Sequence, residues 1–379
     1  MSGKAGGWRI PFNRPALVGR ELEYVRRAIE AGHISGGGSF TSRCQEMLRN
    51  ALGAEKVLLT TSGTHSLEMA ALLLGISPGD EVIMPSFTFV STANAFALRG
   101  ARIVFSDIRP DTLNMDHSLL PDLISERTKA VIPVHYGGVA CEMDDIMAVC
   151  SEKSIPVVED NAHGLGATYR GRKLGTIGSL AALSFHETKN VTCGEGGALI
   201  VNDPSLAAEA EMIRDKGTDR SRFLRGEVDR YTWVSLGSSY QPSDMLAAYL
   251  LAQLEKWSEI TGKRMKLWKR YMDGLREWAK LNGVGLPEVP EHCGHSAHVF
   301  YLIMPDTGSR DELMDWLRSK GILAVFHYQP LHLSGMAGPG RDCPVTTSVA
   351  SRILRLPLYY GLGLTEQQEV MEEVRGFRV

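Results

Sequence analysis

The chain has 379 residues, of which 44% are apolar and 22% charged, so it has enough apolar residues for about two to three domains and is neither disordered nor collagen-like. Its 41 Lys and Arg against 44 Asp and Glu leave a net charge of −3. No overall cationic field exists for nucleic acid or an anionic membrane, and neither is expected as a partner.

The start, MSGKAGGWRIPFNRP, has no apolar h-region or cleavage site, so a cytoplasmic protein is expected. Residues 1–36 are Gly- and Pro-rich around one expected helix, Gly19 to Ala31, and read as an N-terminal arm. The longest apolar runs, Met69 to Leu74 and Met245 to Ala252, fall far short of the roughly 18 residues of a membrane helix. Six cysteines (Cys44, Cys141, Cys150, Cys193, Cys293, Cys343) form no C-x-x-C pair and are expected as reduced, mostly buried thiols.

From Glu55 to Asp203, seven short runs alternate with helix-like stretches: KVLLTTSG, EVIMPSFTFVS, ARIVFSDI, KAVIPVHYGG, IPVVEDNAHG, LAALSFHETKN and GGALIVND. Several are apolar on both parities, which predicts an α/β domain with a mostly parallel central sheet and helices on both faces. Ligands of such sheets bind beyond the carboxyl ends of the strands, where these runs place their polar residues. Ser243 to Leu281 reads as long helices leaving the first domain. The division expected is 37–245 for a large domain and 246–379 for a smaller α+β domain. In the latter, strands are predicted at His298 to Met304 and Leu323 to Tyr328, and helices at Ser309 to Lys320 and Thr365 to Val374.

Ser62-Gly63-Thr64-His65 follows a strand and opens a helix, so backbone N–H groups and two hydroxyls gather at its positive end. That is either a phosphate cradle or an ordinary N-cap turn. Asp160 ends the run IPVVED, where a carboxylate needs a cation or a protonated ring as partner, while Glu159 beside it reads as solvated. Lys189 follows the run in SFHETKN at the sheet's end, where a lysine can form a Schiff base. Together, a phosphate loop, an aromatic-hydroxyl segment, a strand-end Asp and a later Lys match what pyridoxal 5'-phosphate demands: an anchor, a ring clamp, a carboxylate for the ring nitrogen and an amine.

In these motifs, and in GEGGALI, FHYQPLH and LRLPLYYGL, the chain resembles the DegT/StrS nucleotide-sugar aminotransferases, of the type I (aspartate aminotransferase) fold. SFHETKN with RGEVDRYTWVSLGSSYQPSD looks most like the branch that turns dTDP-4-keto-6-deoxyglucose into dTDP-4-amino-4,6-dideoxy sugars. The resemblance implies that Lys189 carries pyridoxal 5'-phosphate and shuttles the proton and that Asp160 bonds the ring nitrogen. Phe89 is implied to stack on the ring, with Ala162 and His163 on its other face and near its hydroxyl. Ser62, Gly63, Thr64, the backbone of His65, and Ser184 are implied around the phosphate. Ser239 stands where much of the family has an Asn reaching the neighbouring subunit's phosphate, and a homodimer with shared sites is implied. His327 and His332 are assigned a minor substrate or structural role.

The implied reaction transfers an amino group from L-glutamate to a nucleotide-linked keto sugar. A 3-aminotransferase and a non-catalytic regulator that binds the cofactor are the alternatives. The Gly36-Gly37-Gly38 run lacks the spacing and strand of a dinucleotide fingerprint. The cluster His292, Cys293, His295, His298 leads straight into a strand and matches no closed zinc pattern, so no metal is expected.

Overall fold

Seven strands take up the seven apolar runs: β1 (Lys56–Thr60), β2 (Glu81–Pro85), β3 (Arg102–Ser106), β4 (Thr128–Val131), β5 (Val158–Asp160), β8 (Leu180–Ser184) and β9 (Gly197–Val201). The structure, a computed structural model, describes residues 7–338 and 340–378, so the first six residues of the expected arm lie outside it. β1, β9, β8 and β5 form one sheet and β3, β2 and β4 another. Parallel bridges from Val131 to Val157 and from Val134 to Asp160 join the two. All seven run parallel except β9, which is antiparallel to both its neighbours. The strands β2, β8 and β9 are almost wholly buried, as a sheet covered by helices on both faces requires.

β6 (Thr168–Tyr169) and β7 (Arg172–Lys173) make a hairpin that pairs with β10 (Cys293–Gly294). β11 (Phe300–Ile303) and β12 (Ile353–Leu356) pair antiparallel and carry the smaller unit. Alternation gives them two apolar faces. Phe300, Leu302, Leu354 and Leu356 meet the helices Trp257–Leu281, Thr307–Ser319 and Leu364–Gly376, while Val299, Tyr301 and Ile353 meet Phe87 and Tyr136 of the large unit.

Three expectations need correction. Leu323 to Tyr328 forms no strand, only a bridge between Val325 and Arg355, and the expected strand at His298 shortens to β11. The 245/246 boundary falls inside the helix Asp244–Glu255, which packs with Tyr24, Phe40, Leu48 and Leu183 in the large unit's core. Asp244 fixes it there, accepting from the Thr41 amide and hydroxyl at 2.7 Å each. The arm lies across both units: its helix, Glu21–Glu30, packs on Asp244–Glu255, and Ile10 bridges to Ile322.

No described helix is long and apolar enough to cross a membrane. Of the cysteines, all but half-buried Cys293 are buried and all are free. Burial raises the Cys193 thiol to about 12, so it is an inert packing residue.

Candidate active site

The carboxyl ends of β1, β2, β5 and β8 open into one cavity of about 550 Å³, closed on its far side by β12 and Phe326 to Tyr328. Ser62 ends the β1 turn in extended conformation and caps the helix Gly63–Leu73, its hydroxyl accepting from the His65 amide at 3.1 Å. Such a cap leaves the first-turn amides of Gly63 and Thr64 without helical partners, facing the cavity. The chain can lie this low only because two glycines let it: a Cβ on Gly197 would sit 2.4 Å from the Ser62 carbonyl, and one on Gly63 would sit 3.0 Å from Ser184 Cβ. Thr64 donates its hydroxyl to Ser91 at 2.8 Å.

β5 ends in two buried carboxylates that point to opposite faces. Asp160 faces the cavity, accepting from Thr92 Oγ1 at 2.7 Å and from the Ala162 amide at 3.2 Å, and leaving capacity for another donor. Glu159 points away and is not solvated as expected. It is fully buried and accepts from the amides of Gly175, Ile177 and Gly178 at 2.7 Å each, with His135 Nε2 at 2.9 Å. Burial acts to raise its carboxyl, but these donors outweigh it and hold the group below the usual range.

Lys189 sits in the turn after β8, its amide bonded to the His186 carbonyl at 2.9 Å. Its side chain is half-buried and lines the cavity. Burial lowers the ammonium to about 8 against the opposing pull of Asp160, with Arg355 adding to the fall. The result is an amine easily freed for nucleophilic and proton-transfer work beside an anchored carboxylate.

Of the expected site residues, Ser62, Gly63, Thr64, Phe89, Asp160, Ala162, His163, Ser184, Lys189 and His327 line this cavity. Phe89 is 57% exposed, an aromatic face open to a partner ring. His163 stacks on His298 at 4.2 Å between ring centroids, and burial keeps both imidazoles well below their ordinary values and hence neutral. His327 meets the Tyr136 hydroxyl at 2.6 Å. His65 departs from expectation: its amide is taken by Ser62, and its ring turns to Thr61 and the edge of Tyr240. So does His332, which bonds Ser86 at 2.6 Å and lies in a separate surface cleft of about 790 Å³ beside Arg102 and Arg127. Ser239 is exposed and outside its own chain's cavity. Sequence reasoning passed over Ser91, Thr92 and Arg355, and met His298 only in the histidine cluster it set aside. The hydroxyl-rich run SFTFVST gave the signal for the first two, since Thr92 stands four residues after Thr88 at a helix start.

The cavity fits pyridoxal 5'-phosphate by its own donors: unpartnered amides and the Ser62 and Ser184 hydroxyls, each with a proton to give, for a phosphate, an open aromatic face, an anchored carboxylate for a protonated ring nitrogen, and a freed amine. This defines the site of a pyridoxal-phosphate aminotransferase. The sequence profile of the DegT/DnrJ/EryC1/StrS aminotransferase family matches residues 15–375, and the chain belongs to that family, as a pyridoxal-phosphate-dependent sugar aminotransferase of the type I fold. It is 35% identical over 330 residues to the GDP-perosamine synthase of Caulobacter vibrioides, covering 86% of each chain. The aminotransferase TlmJ from Streptoalloteichus hindustanus superposes with a TM-score of 0.90 at 32% identity, over 97% of this chain and 98% of that one. The putative sugar aminotransferase Spr1654 from Streptococcus pneumoniae, solved in a PMP form, gives 0.90 at 26% identity over the same shares.

Proposed function

We propose that the protein transfers the amino group of L-glutamate to C4 of dTDP-4-keto-6-deoxy-D-glucose, yielding a dTDP-4-amino-4,6-dideoxyhexose and 2-oxoglutarate. The observation that carries the amino-transfer reading is Lys189, lowered to about 8, opening into the same cavity as the hydrogen-bonded carboxylate of Asp160. The SFHETKN and RGEVDRYTWVSLGSSYQPSD motifs support the choice of sugar.

Pyridoxal 5'-phosphate, when bound, supplies an electron sink and a carrier for the amino group. Lys189 Nζ is the attachment point and, once free, the base that takes the proton from the donor's Cα and later returns one to the sugar carbon. Asp160 holds a proton on the ring nitrogen, fixed in place by Thr92 and the Ala162 amide. The Gly63 and Thr64 amides, with the Ser62 and Ser184 hydroxyls, hold the phosphate. Phe89 and His163 bracket the ring, and neutral His163 adds no charge against its protonated nitrogen.

A homodimer is part of this reading. Trp233, Leu236 and Ser239 stand exposed on one segment, where a second copy is able to cover the apolar groups and receive the Ser239 hydroxyl. A cytoplasmic location accords with a nucleotide-linked substrate.

Incubation with dTDP-4-keto-6-deoxyglucose and L-glutamate, followed by NMR of the product, tests the proposal. A new amine-bearing C4 is expected, and an unchanged keto sugar overturns it. The likeness to GDP-perosamine synthase favours a second reading in which the nucleotide is GDP. A parallel incubation with a GDP-linked keto-deoxy sugar separates the two.

A further inference from the structure

Lys189 follows two exposed residues, Glu187 and Thr188, and Asn190 after it turns inward and is buried. A buried amide is costly unless both its ends are bonded, and here one short segment of the smaller unit bonds both. Asn190 Nδ2 donates to the Ser296 carbonyl at 2.8 Å, and Oδ1 accepts from His298 Nδ1 at 3.0 Å. The carbonyl can only accept, which fixes the orientation of the amide and so puts the proton of the neutral His298 imidazole on Nδ1. The same segment grips the large unit twice more: Ser296 donates its hydroxyl to the His163 carbonyl at 2.6 Å and its amide to the Gly138 carbonyl at 3.3 Å. Gly138 lets the chains come this close, since a Cβ on it would overlap Ser296 Oγ.

The segment does not hold this shape unaided. Ala297 stands at φ +51°, a left-handed conformation that a residue with a Cβ seldom adopts. Arg264, on the helix Trp257–Leu281, braces it, donating Nε to the Ala297 carbonyl at 3.1 Å and Nη2 to the His298 carbonyl at 2.6 Å. Among the described residues no carboxylate pairs with this buried guanidinium. A buried cation without a counterion is costly, and this one is committed to shaping the turn that meets Asn190. Resting on Lys189 as the attachment point, we propose that Asn190 is a positioning residue for Lys189, through which the Arg264-braced segment of the smaller unit sets where the reacting amine stands. A flexible lysine side chain loses much of its freedom when it meets an aldehyde, and a pinned backbone beside it lowers that loss. Neither Asn190 nor Arg264 lines the cavity, so both act on the amine and not on the cofactor's phosphate or ring.

The test uses the full-length apoprotein and two forms of the cofactor. Pyridoxamine 5'-phosphate has the same ring and phosphate but no aldehyde, so the cavity holds it without a bond to Lys189. In fluorescence titrations, wild type and Asn190→Ala should bind pyridoxamine 5'-phosphate equally, while affinity for pyridoxal 5'-phosphate falls by about tenfold in the variant, the scale of one to two lost hydrogen bonds. Borohydride trapping at Lys189 should slow in step. A merely structural role weakens both forms alike. An unchanged ratio of the two affinities, with the wild-type label on Lys189, therefore overturns the proposal. A wild-type label on another lysine instead refutes Lys189 as the attachment point, and the proposal with it. Should Asn190→Ala not fold, Arg264→Lys carries the comparison: it keeps a donor for one of the two carbonyls and should lower the ratio by about two- to fivefold.

Discussion

Thr92 gives its only hydroxyl proton to Asp160 Oδ2 at 2.7 Å, so the 2.8 Å contact between Thr92 and Thr88 must run with Thr88 as donor. Two buried threonines thus form a directed chain ending on the carboxylate that holds the ring nitrogen's proton. Thr92→Val keeps the shape and removes the last link. A hydrogen bond to a charged acceptor contributes about 1.5–3 kcal/mol, so turnover should fall by about tenfold or more, and the melting temperature should drop because the buried Thr88 hydroxyl also loses its acceptor. Unchanged kcat would mean that Asp160 needs no such support.

Asp160→Asn tests the carboxylate itself. The variant should fold and bind the cofactor while losing on the order of 10²-fold or more in kcat, the scale expected when a proton is no longer held where charge develops. Steady-state kinetics at saturating substrates decide it, and a near wild-type rate would move the ring-nitrogen role to another residue.

Lys189→Ala should abolish turnover and eliminate the borohydride-trapped peptide at that position. A second readout concerns pH. Only the neutral amine attacks an aldehyde, and the ammonium is lowered from 10.5 to about 8. Covalent capture of the cofactor by the apoprotein should therefore rise with pH through a midpoint near this lowered value, and a midpoint at the ordinary lysine value would contradict the burial described for it.

Gly197→Ala places a methyl group 2.4 Å from the Ser62 carbonyl, against backbone that has nowhere to go. Overpacking of this kind costs about 1–3 kcal/mol. The distortion falls on the phosphate cradle, so cofactor affinity, read by fluorescence titration, should drop along with the melting temperature.

Glu159→Gln breaks the cluster that holds the turn 175–178. One amide oxygen cannot serve three backbone donors, and the new NH2 group faces them, so about 3 kcal/mol or more of stability should be lost. The wild-type carboxyl is held below its ordinary 4.5. Its contribution is thus complete above 4.5 and fades as pH falls toward the lowered folded value. Urea melts of the two proteins should accordingly converge in acid.

Strand runs apolar on both parities have few alternatives to a covered sheet, and all seven were legible. Lys189 and Asp160 were legible for a related reason, as ionisable groups closing apolar runs. Glu159 has the same local surroundings as Asp160. Only the distant turn 175–178, invisible to any window around residue 159, makes its burial tolerable. Arg355 was obscured because one charge in a short strand resembles a solvent-facing position until the partner face is known. The helix Asp244–Glu255 was assigned to the wrong unit because its apolar composition suits either core. His327 and His332 share one motif, yet the chain passes Pro330 between them and carries His332 to Ser86 instead of the cavity.

Among the described residues, β1 is an edge strand whose sole ladder neighbour is β9, pairing Thr60 with Gly197. The anion-binding turn that follows β1 is consequently shaped by a segment made more than a hundred residues later, at the loop-closure cost that so long a separation carries. A nascent chain that has emerged only through the turn after β8 holds Lys189 and Asp160 but has no finished seat for a phosphate. Vitamin capture is in this way reserved for molecules whose sheet has closed.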